Sequence, residues 1–286
     1  MRQMNYRHAF HAGNFADVVK HAVLTRILIH LLKKETPFRV IDTHAGAAIY
    51  DLSGPEATRS GEWKNGIARV LDAKLDAISA ALLEPYFTAV RAANPGTKLG
   101  HYPGSPAIVA SFLRKDDRLI ACELKPKAAI ALSRYMGTDQ RVKTIEINGW
   151  TALSAYIPPK ERRGLVLIDP PFEETGEFDR LADALTAAHR KWPDGIYLAW
   201  YPVKDARDTA AFARKLSNSS IEGILRAELI IANPGAEGLR GSGLIVINPP
   251  WTLESELKTM LTALSDAFGG GGRSTRPLLQ WIAPGR

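Results

Sequence analysis

The chain has 286 residues, of which 45% are hydrophobic and 23% charged, and it carries a formal net charge of +7. This length allows one large α/β domain or two smaller ones with substantial cores. The single cysteine, Cys122, excludes an intramolecular disulfide framework and a cysteine-rich zinc site.

The apolar segments do not indicate a membrane protein. No stretch approaches the roughly 18 uncharged apolar residues that a spanning helix needs, and the N-terminus has no apolar signal region. We therefore expect a cytoplasmic protein with Cys122 as a buried thiol. The positive charge favours polyanionic partners, although many basic proteins bind no nucleic acid.

The first predicted element is a helix over residues 14–34, where apolar residues recur at helical spacing after a capping-type Asn14. The segment 38–43 (FRVIDT) has the composition of a buried strand. It runs into a turn of small residues at 44–48 (HAGAA). Gly46 in this turn would let a ligand approach the backbone closely, although small-residue turns after buried strands are also common without a ligand.

Residues 52–103 differ in character from the segments around them. They alternate polar and alanine-rich stretches, with Gly54, Pro55, Pro85 and Pro95 as punctuation and no strand-like run. We interpret this segment as a helical insertion within a single domain that covers residues 1–286.

Six further strands, most of them separated by helical stretches, are predicted at residues 118–123, 142–147, 165–169, 195–201, 224–231 and 243–248. Alternating strands and helices indicate a mostly parallel sheet covered on both faces. The connection 233–243 (NPGAEGLRGSG) is too short for a crossover helix, so the last two strands should form an antiparallel hairpin at one edge. A seven-stranded α/β sheet with a reversed last strand matches the Rossmann-like methyltransferases at the level of fold.

Polar residues follow the second and third of these strands. Glu123 ends the strand 118–123, where an acidic side chain can accept hydrogen bonds from both hydroxyls of a ribose. The alternative is a solvated or helix-capping glutamate. Asn148 and Gly149 follow the next strand and could meet an adenine edge, although alone they are only a turn signal.

The segment 165–172 (LVLIDPPF) is the most informative of the chain. Its strand ends in Asp169, two prolines and Phe172, and the prolines hold the acid and the ring on a stiff turn. If Asp169 and the carbonyl of Pro170 accept the two N–H bonds of an exocyclic amino group, the nitrogen lone pair can turn toward an electrophile while Phe172 stacks on the base. The carboxylate would then stabilise the developing positive charge. The alternative is that the prolines only end a strand and Asp169 caps a loop.

A second proline turn, 248–251 (NPPW), follows the last predicted strand. Only 35 residues come after it, too few for the helix–strand units expected after the central strand of the sheet. We therefore expect the turn to be structural, ending an edge strand and lining the substrate entrance.

Four histidines, His8, His11, His21 and His44, lie early in the chain. No carboxylate or cysteine set accompanies them at a known ligand spacing, so no metal site is predicted. Lys20 and His21, beside the glycine turn, would instead donate to a carboxylate such as that of a methionine moiety.

Several blocks together resemble the bacterial 23S ribosomal RNA adenine-N6 methyltransferase family of the large-subunit methyltransferase J type. The resemblance covers nearly the whole chain, and its first block is the most distinctive. The blocks are YRHAFHAGNFADVVKH at 6–21, DTHAG at 42–46, YPGSP at 102–106, CEL at 122–124, DPPF at 169–172 and GLIVINPPW at 243–251.

The resemblance implies S-adenosylmethionine as the methyl donor and a flipped adenine of 23S ribosomal RNA as the acceptor. It implies Tyr6 as an RNA contact and Asp169 as the catalytic acceptor. Two positions depart from the family pattern: Asn148-Gly149 replaces Asp-Gly, and Phe172 replaces the tyrosine of DPPY. The positions it places around the cofactor are Lys20, His21, His44, Ser105, Glu123, Asn148, Gly149 and Asp169.

Other functions remain open from the residues alone. Within the same chemistry, the chain could methylate DNA at adenine or at cytosine N4, or methylate glutamine on a protein. It could also be a non-catalytic nucleic-acid-binding protein on a methyltransferase scaffold. For the methyltransferase we expect a monomer that acts on naked or early-assembly RNA and has no membrane partner.

Overall fold

A computed structural model describes residues 7–231, 239–270 and 275–285 of the chain. Tyr6, the predicted RNA contact, lies outside these residues. The described part contains one sheet of eight strands and a separate pair. The strands are β1 (Arg39–Asp42), β2 (Ile49–Asp51), β3 (His101–Pro103), β4 (Arg118–Glu123), β5 (Val142–Glu146), β6 (Gly164–Ile168), β7 (Ile196–Val203), β8 (Ile224–Ile230), β9 (Gly241–Ile247) and β10 (Leu278–Ala283).

The main sheet has the order β10-β8-β9-β7-β6-β1-β4-β5. The strands β5, β4, β1, β6 and β7 run parallel to one another, whereas β9 is antiparallel to both β7 and β8. The predicted mostly parallel α/β sheet with antiparallel pairing among the last strands of the chain is therefore confirmed, although the sheet has eight strands and not seven.

The sheet is buried on both faces, which explains its continuous apolar strands. Successive residues of β1 show this, because Val40 packs into one core and Ile41 into the other. In β6, Leu165 likewise faces the first core and Val166 the second. Parallel strands with two covered faces lose the polar–apolar alternation of a half-exposed sheet.

The number and position of the last strands differ from the prediction. β8 and β9 do pair in antiparallel fashion, but β10 adds to the other side of β8, so the hairpin is not at the edge of the sheet. The side chains of β10 are mostly exposed or half-buried. The sequence analysis did not assign this strand, although its segment LLQWIA is apolar, and its place in the sheet comes from pairing with β8.

Ten α-helices flank the sheet in the described residues. They are α1 (Phe15–Leu32), α2 (Pro55–Ser60), α3 (Arg69–Leu71), α4 (Ala77–Ala92), α5 (Ser105–Phe112), α6 (Pro126–Met136), α7 (Gly149–Ala155), α8 (Glu177–Lys191), α9 (Ala206–Ser217) and α10 (Leu253–Ala267). Apolar side chains of α1, α4, α5, α6 and α10 share one core, and those of α7, α8 and α9 share the other.

The first long helix, α1, begins where the sequence predicts. Asn14 caps it by accepting a hydrogen bond from the backbone N–H of Asp17 at 3.0 Å. The helix is buried nearly all round, since it packs against α4, α5 and α10 as well as toward the sheet. Even its polar residues Lys20 and His21 are therefore enclosed.

The segment 52–103 holds α2, α3, α4 and a single π-helical turn at Lys64–Ala68. The segment ends in β3, a strand that the sequence did not indicate and that pairs with β2. This two-stranded ribbon joins the two ends of the segment.

The turn 248–251, which we expected to end an edge strand and to line the substrate entrance, lies at the end of the sheet where β7 begins. Because β9 runs antiparallel to β7, its last residue, Ile247, pairs with Tyr197 near the start of β7. The side-chain amide of Asn248 donates to the carbonyls of Pro193 and Gly195, which precede β7. The expectation of an edge strand is wrong, because β9 lies between β8 and β7. The turn also lies away from the carboxyl ends of β1, β4, β5 and β6, which precede the predicted site residues.

The structure also bears on the expectations about Cys122 and about membrane-spanning helices. Cys122 is fully buried in β4, and burial raises the pKa of its thiol to about 12. Among the described residues, no helix is long and apolar enough to cross a membrane.

Candidate active site

The predicted site residues collect at the carboxyl ends of β1, β4, β5 and β6, which are neighbours in the sheet. Gly46 follows β1, Glu123 ends β4, Asn148 follows β5 and Asp169 follows β6. The carboxyl edge of parallel strands is where ligands bind in open α/β sheets. The sheet order thus brings together residues that are more than a hundred positions apart in the chain.

The carboxylate of Glu123 joins two of these loops. Its Oε2 accepts a hydrogen bond from the backbone N–H of Gly46 at 2.8 Å, and its Oε1 accepts one from the N–H of Lys125 at 2.7 Å. An ionised carboxylate offers about four lone-pair sites, so each oxygen can still accept from a ligand hydroxyl. Glu123 therefore both fixes the glycine turn and keeps acceptor capacity for a ribose.

Gly46 is required by its own conformation and by its neighbour Tyr50. Its φ of +63° is in the left-handed region, and a Cβ at this position would overlap the hydroxyl oxygen of Tyr50. That hydroxyl also accepts from the N–H of Ala47 at 3.0 Å. The turn is thus held from one side by Tyr50 and from the other by Glu123.

The loop after β5 is packed tightly against the loop after β1. Asn148 caps α7, with its Oδ1 accepting from the N–H of Trp150 at 2.9 Å. A Cβ on Gly149 would overlap the carbonyl of Thr43 and the ring of His44. Burial lowers the pKa of His44 to about 3, so this imidazole is neutral near pH 7. Gly149 therefore allows the loops after β1 and β5 to touch.

Ser105 reaches the site through a residue that sequence reasoning missed. Its hydroxyl donates to Oδ2 of Asp42 at 2.6 Å, at the end of β1. Asp42 is fully buried, and burial raises the pKa of its carboxyl to about 7 despite this hydrogen bond. Asp42 and Ser105 thus form a buried floor under the glycine turn.

Lys20 lies between two carboxylates. Its ammonium donates to Asp17 Oδ1 at 2.8 Å and also to Asp169 Oδ2. Burial alone would lower the pKa of Lys20, but the charges of Asp169 and Asp17 outweigh it and raise that pKa. With both carboxylates ionised, Lys20, Asp17 and Asp169 together carry a net charge of −1, and an unprotonated His8 beside Asp17 leaves that sum unchanged.

Asp17 ties the N-terminal segment to this group. Its Oδ2 accepts from the N–H of Gly13 at 3.0 Å, and Nε2 of His8 lies 3.0 Å from the same oxygen. Burial would raise the pKa of Asp17, yet the charge that His8 carries when protonated and the charge of Lys20 hold it well below its usual value. Asp17 therefore stays ionised, and its position couples residues 8–13 to Lys20.

His21 belongs to a second buried chain, which does not reach Asp169. Its Nδ1 lies 2.8 Å from the hydroxyl of Tyr102, which lies 3.0 Å from that of Tyr86. Only 1% of His21 is exposed, and burial lowers the pKa of its imidazole to about 3. His21 is thus a neutral core residue one position from Lys20.

The turn after β6 holds an aromatic ring next to Asp169. Phe172 has a φ of +48°, which a bulky residue rarely adopts and which is most often found at functional sites. Its ring centroid lies 5.0 Å from that of Phe178 and 5.8 Å from that of Trp200. These contacts fix the ring while leaving it half-exposed.

Three residues of the site carry no motif signal strong enough to select them, namely Asp17, Asp42 and Tyr102. Asp17 stands three positions before Lys20, on the same face of α1, and this i, i+3 spacing is the one sign that could have indicated the pair. Asp42 and Tyr102 look like an ordinary strand end and an ordinary core aromatic.

No group of three metal-binding side chains occurs within residues 7–231, 239–270 and 275–285. His8 and His11 turn to different partners, since Nδ1 of His11 lies 3.1 Å from the carboxylate of Glu62. These contacts give a hydrogen-bonded role to two of the four early histidines.

Comparison with known proteins gives one consistent result. The family model described as "Ribosomal RNA large subunit methyltransferase D, RlmJ" matches residues 35–283. The chain belongs to this family. The family's large-subunit methyltransferase J proteins of Escherichia coli strain K12 and of Haemophilus influenzae are each 38% identical to it, over 98% of this chain and 99% of theirs.

The fold of the family is also represented among solved structures. The crystal structure of protein LPL1258 from Legionella pneumophila has a TM-score of 0.86 and 36% identity, covering 95% of this chain and 98% of that one. The chain is thus a Rossmann-like methyltransferase of the RlmJ family, and the resemblance read from its sequence blocks is confirmed.

The buried imidazole of His21 should make stability depend on pH. The folded state takes up its proton near pH 3 and the unfolded state near pH 6.5, so the unfolded state binds one more proton between these values. The free energy of unfolding should therefore fall, as pH falls through this window, by about 1.4 kcal/mol per pH unit from this group.

Urea denaturation of the wild type and of His21→Gln between pH 4.5 and 7 measures this contribution. The variant can still hydrogen-bond Tyr102 but cannot titrate, so its stability should vary less steeply with pH. Identical slopes for the two proteins would show that His21 is accessible to protons in the folded state.

Proposed function

We propose that this protein transfers a methyl group from S-adenosylmethionine to N6 of an adenine in 23S ribosomal RNA. Membership of the RlmJ family supports the class of reaction. The observation that carries the proposal is the place of Asp169. This carboxylate directly follows the buried strand β6, stands on the same turn as a fixed aromatic ring, and belongs to a group with net charge −1.

The donor set at the sheet edge fits the proposed cofactor. Glu123 retains acceptor sites for the ribose hydroxyls, and the half-buried Asn148 beside Gly149 could meet an adenine edge. Lys20, which is held between Asp17 and Asp169, is a cation that could attract the methionine carboxylate. We propose that the cofactor lies among Lys20, His21, His44, Gly46, Ser105, Glu123, Asn148, Gly149 and Asp169.

His21 and Ser105 would support the walls of this site without contacting the cofactor directly. Both are buried, 1% and 6% exposed, and each is already hydrogen-bonded to another residue of the protein. Ser105 orients Asp42 under the glycine turn, and His21 fixes the turn of α1 that carries Lys20. Their proposed role is to shape the pocket rather than to cover the cofactor.

The bound cofactor would supply an electrophilic methyl group. An adenine amino group is a poor nucleophile, because its lone pair is delocalised into the ring. If Asp169 and the carbonyl of Pro170 accept its two N–H bonds, the nitrogen can turn its lone pair out of the ring plane, while Phe172 stacks on the base. As the nitrogen–methyl bond forms, the bond from the methyl carbon to sulfur would break with its electron pair left on sulfur, and the amine becomes cationic. A nearby negative charge therefore stabilises the transition state more than the ground state, and the amine loses its extra proton after the bond has formed.

Asp17 has a specific part in this electrostatic argument. A lone ion pair of Lys20 with Asp169 would be neutral, and the carboxylate would lose much of its effect on a developing cation. The second carboxylate, Asp17, restores the net charge of −1. It is a positioning residue, because it acts through Lys20.

We further propose that Tyr6 and the helical insertion at 52–103 provide contacts to the RNA on either side of the site. In support, the N-terminal segment is tied to Lys20 through Asp17, and His11 and Asn14 contact Glu62 of that insertion. A flipped adenine would then reach Asp169 between the two.

The acceptor is tested with tritiated S-adenosylmethionine and three substrates: unmodified 23S ribosomal RNA, duplex DNA and a mixture of ribosomal proteins. Label should enter only the RNA, and digestion should release N6-methyladenosine. Label in DNA or protein alone would reject the proposed substrate.

Asp169→Asn should lower kcat by about 100-fold or more, because the charge that stabilises the aminium is removed while the shape is kept. Single-turnover methylation of 23S ribosomal RNA measures the decrease. Asp183→Asn, an exposed carboxylate on α8 paired with Lys215, is the control and should retain full activity. A fully active Asp169 variant would contradict its catalytic role.

Glu123→Ala should weaken cofactor binding by more than tenfold, since the ribose acceptor and the brace on Gly46 are removed together. Titration calorimetry with S-adenosylhomocysteine measures the dissociation constant. Glu146, which ends the neighbouring strand and pairs in register with Glu123, is exposed and provides the matched control as Glu146→Ala. Equal affinities of the two variants would refute the assignment.

Asp17→Asn should slow methyl transfer roughly tenfold with little change in cofactor affinity, because the net charge beside the acceptor falls from −1 to zero. A split between kcat and the dissociation constant of the cofactor is the diagnostic result. Asp51→Asn, a change of the same kind at an exposed position, should change neither. If Asp17→Asn reduced only stability, with kcat intact, Asp17 would be purely structural.

A further inference from the structure

The end of the sheet at which the parallel strands begin, opposite the active site, is strongly basic. Three segments at this edge, 33–39 (KKETPFR), 114–118 (RKDDR) and 160–163 (KERR), contain nine Lys and Arg residues against four Asp and Glu residues. We call these three segments the basic face. They hold most of the net charge of +7 that the whole chain carries.

Strand register places the three segments side by side. They lead into β1, β4 and β6, and Arg39 at the start of β1 pairs with Arg118 on one side and with Gly164 on the other. Side-chain contacts join them as well. Arg114 and Arg163 both donate to the carbonyl of Thr36.

The acids of the basic face are largely neutralised within it. Asp117 accepts from Arg114 at 2.9 Å, and Glu161 accepts from Arg39 at 2.6 Å. The exposed cations are Lys33, Lys34, Lys115, Lys160 and Arg162.

Burial, and after it the neighbouring cations, lower the pKa of two basic groups at this face. Burial and then the charge of Arg114 lower the pKa of Arg163. Burial and then the charges of Lys33 and Arg163 likewise lower the pKa of His30 in the last turn of α1. The face therefore has a positive potential that an anionic partner would relieve.

A large aromatic side chain stands at the same edge. Trp251, in the turn after β9, is 83% exposed, more than any other large hydrophobic residue of the described chain. The ammonium of Lys33 lies 5.7 Å from the centre of its ring. The turn itself is rigid, because Asn248 donates to two carbonyls and two prolines follow it.

We propose that the basic face and Trp251 form a second RNA-binding surface, which holds a single-stranded part of the same ribosomal RNA whose adenine is methylated at the opposite edge. Phosphates would lie on Lys33, Lys34 and Lys115, and one unstacked base would lie on Trp251. Exposed aromatic rings beside cations are the standard means of binding single-stranded RNA, because every base has a face that can stack. The proposal rests on the proposed RNA substrate.

The distance between the two surfaces gives the proposal a measurable property. Lys20 and Lys33 are thirteen residues apart on α1, which corresponds to about 20 Å along the helix axis. A short hairpin that fills the active site would not reach the basic face, whereas a longer transcript would reach both. Trp251 should therefore affect long RNA and not short RNA.

The test uses the full chain and two RNAs: unmodified 23S ribosomal RNA, and the shortest hairpin cut from it that the wild type still methylates. Trp251→Ala should weaken binding of the long RNA roughly tenfold, as expected when one stacked base is released, and Trp251→Phe should restore most of it. Both variants should bind and methylate the short hairpin like the wild type.

The role of the lysines is tested through salt dependence. The double variant Lys33→Ala/Lys34→Ala should reduce the slope of log K against log salt for the long RNA by about 0.7 for each phosphate that is no longer neutralised. Arg214→Ala is the matched control, because this exposed cation lies on α9, across the sheet from α1. Its slope should equal that of the wild type.

Three outcomes would overturn the proposal. They are equal affinities of Trp251→Ala and wild type for the long RNA, an equal decrease in affinity for both RNAs, and a changed oligomeric state of Trp251→Ala in sedimentation without a change in RNA binding. The last would assign the surface to a protein contact. If the wild type methylated no RNA at all, the proposed function would fail instead, so the two failures are distinguishable.

Discussion

The ion pair of Lys20 with Asp169, shared with Asp17, is the interaction on which the rest of the site depends. A buried ammonium is costly to desolvate, and two carboxylates are needed to hold it charged and in place. The same arrangement leaves one negative charge in excess beside the half-exposed ring of Phe172. The same group of three charges therefore fixes Lys20 in the core and supplies the negative charge that the proposed reaction needs.

The buried polar residues behind the site serve this feature. Asp42 with Ser105, and His21 with Tyr102, form hydrogen bonds inside an otherwise apolar core. Such groups are stable only when paired, so each pair fixes the position of its loop or helix. The turn that meets the cofactor in our proposal is thus held from below as well as by Glu123 from the side.

The two edges of the sheet have different roles in this view. At the carboxyl edge, backbone turns and acids converge on a small ligand and a single base. At the amino edge, cations and Trp251 offer non-specific contacts to an extended anion. A parallel sheet produces this division naturally, because all its strand starts lie together and all its strand ends lie together. A large RNA is a substrate that can contact both.

The sequence alone determined the parallel sheet, the helix capped by Asn14 and the proline turn that follows β6 at Asp169, because buried strands, caps and prolines are local signals. It did not reveal β10, whose conformation comes from pairing with β8, or the opposite placement of the NPPW turn, which follows from the direction of β9. Only the tertiary structure brought Asp17 and Asp42 to the site. Their roles come from burial and from partners distant in the chain, and neither property is written in a local pattern.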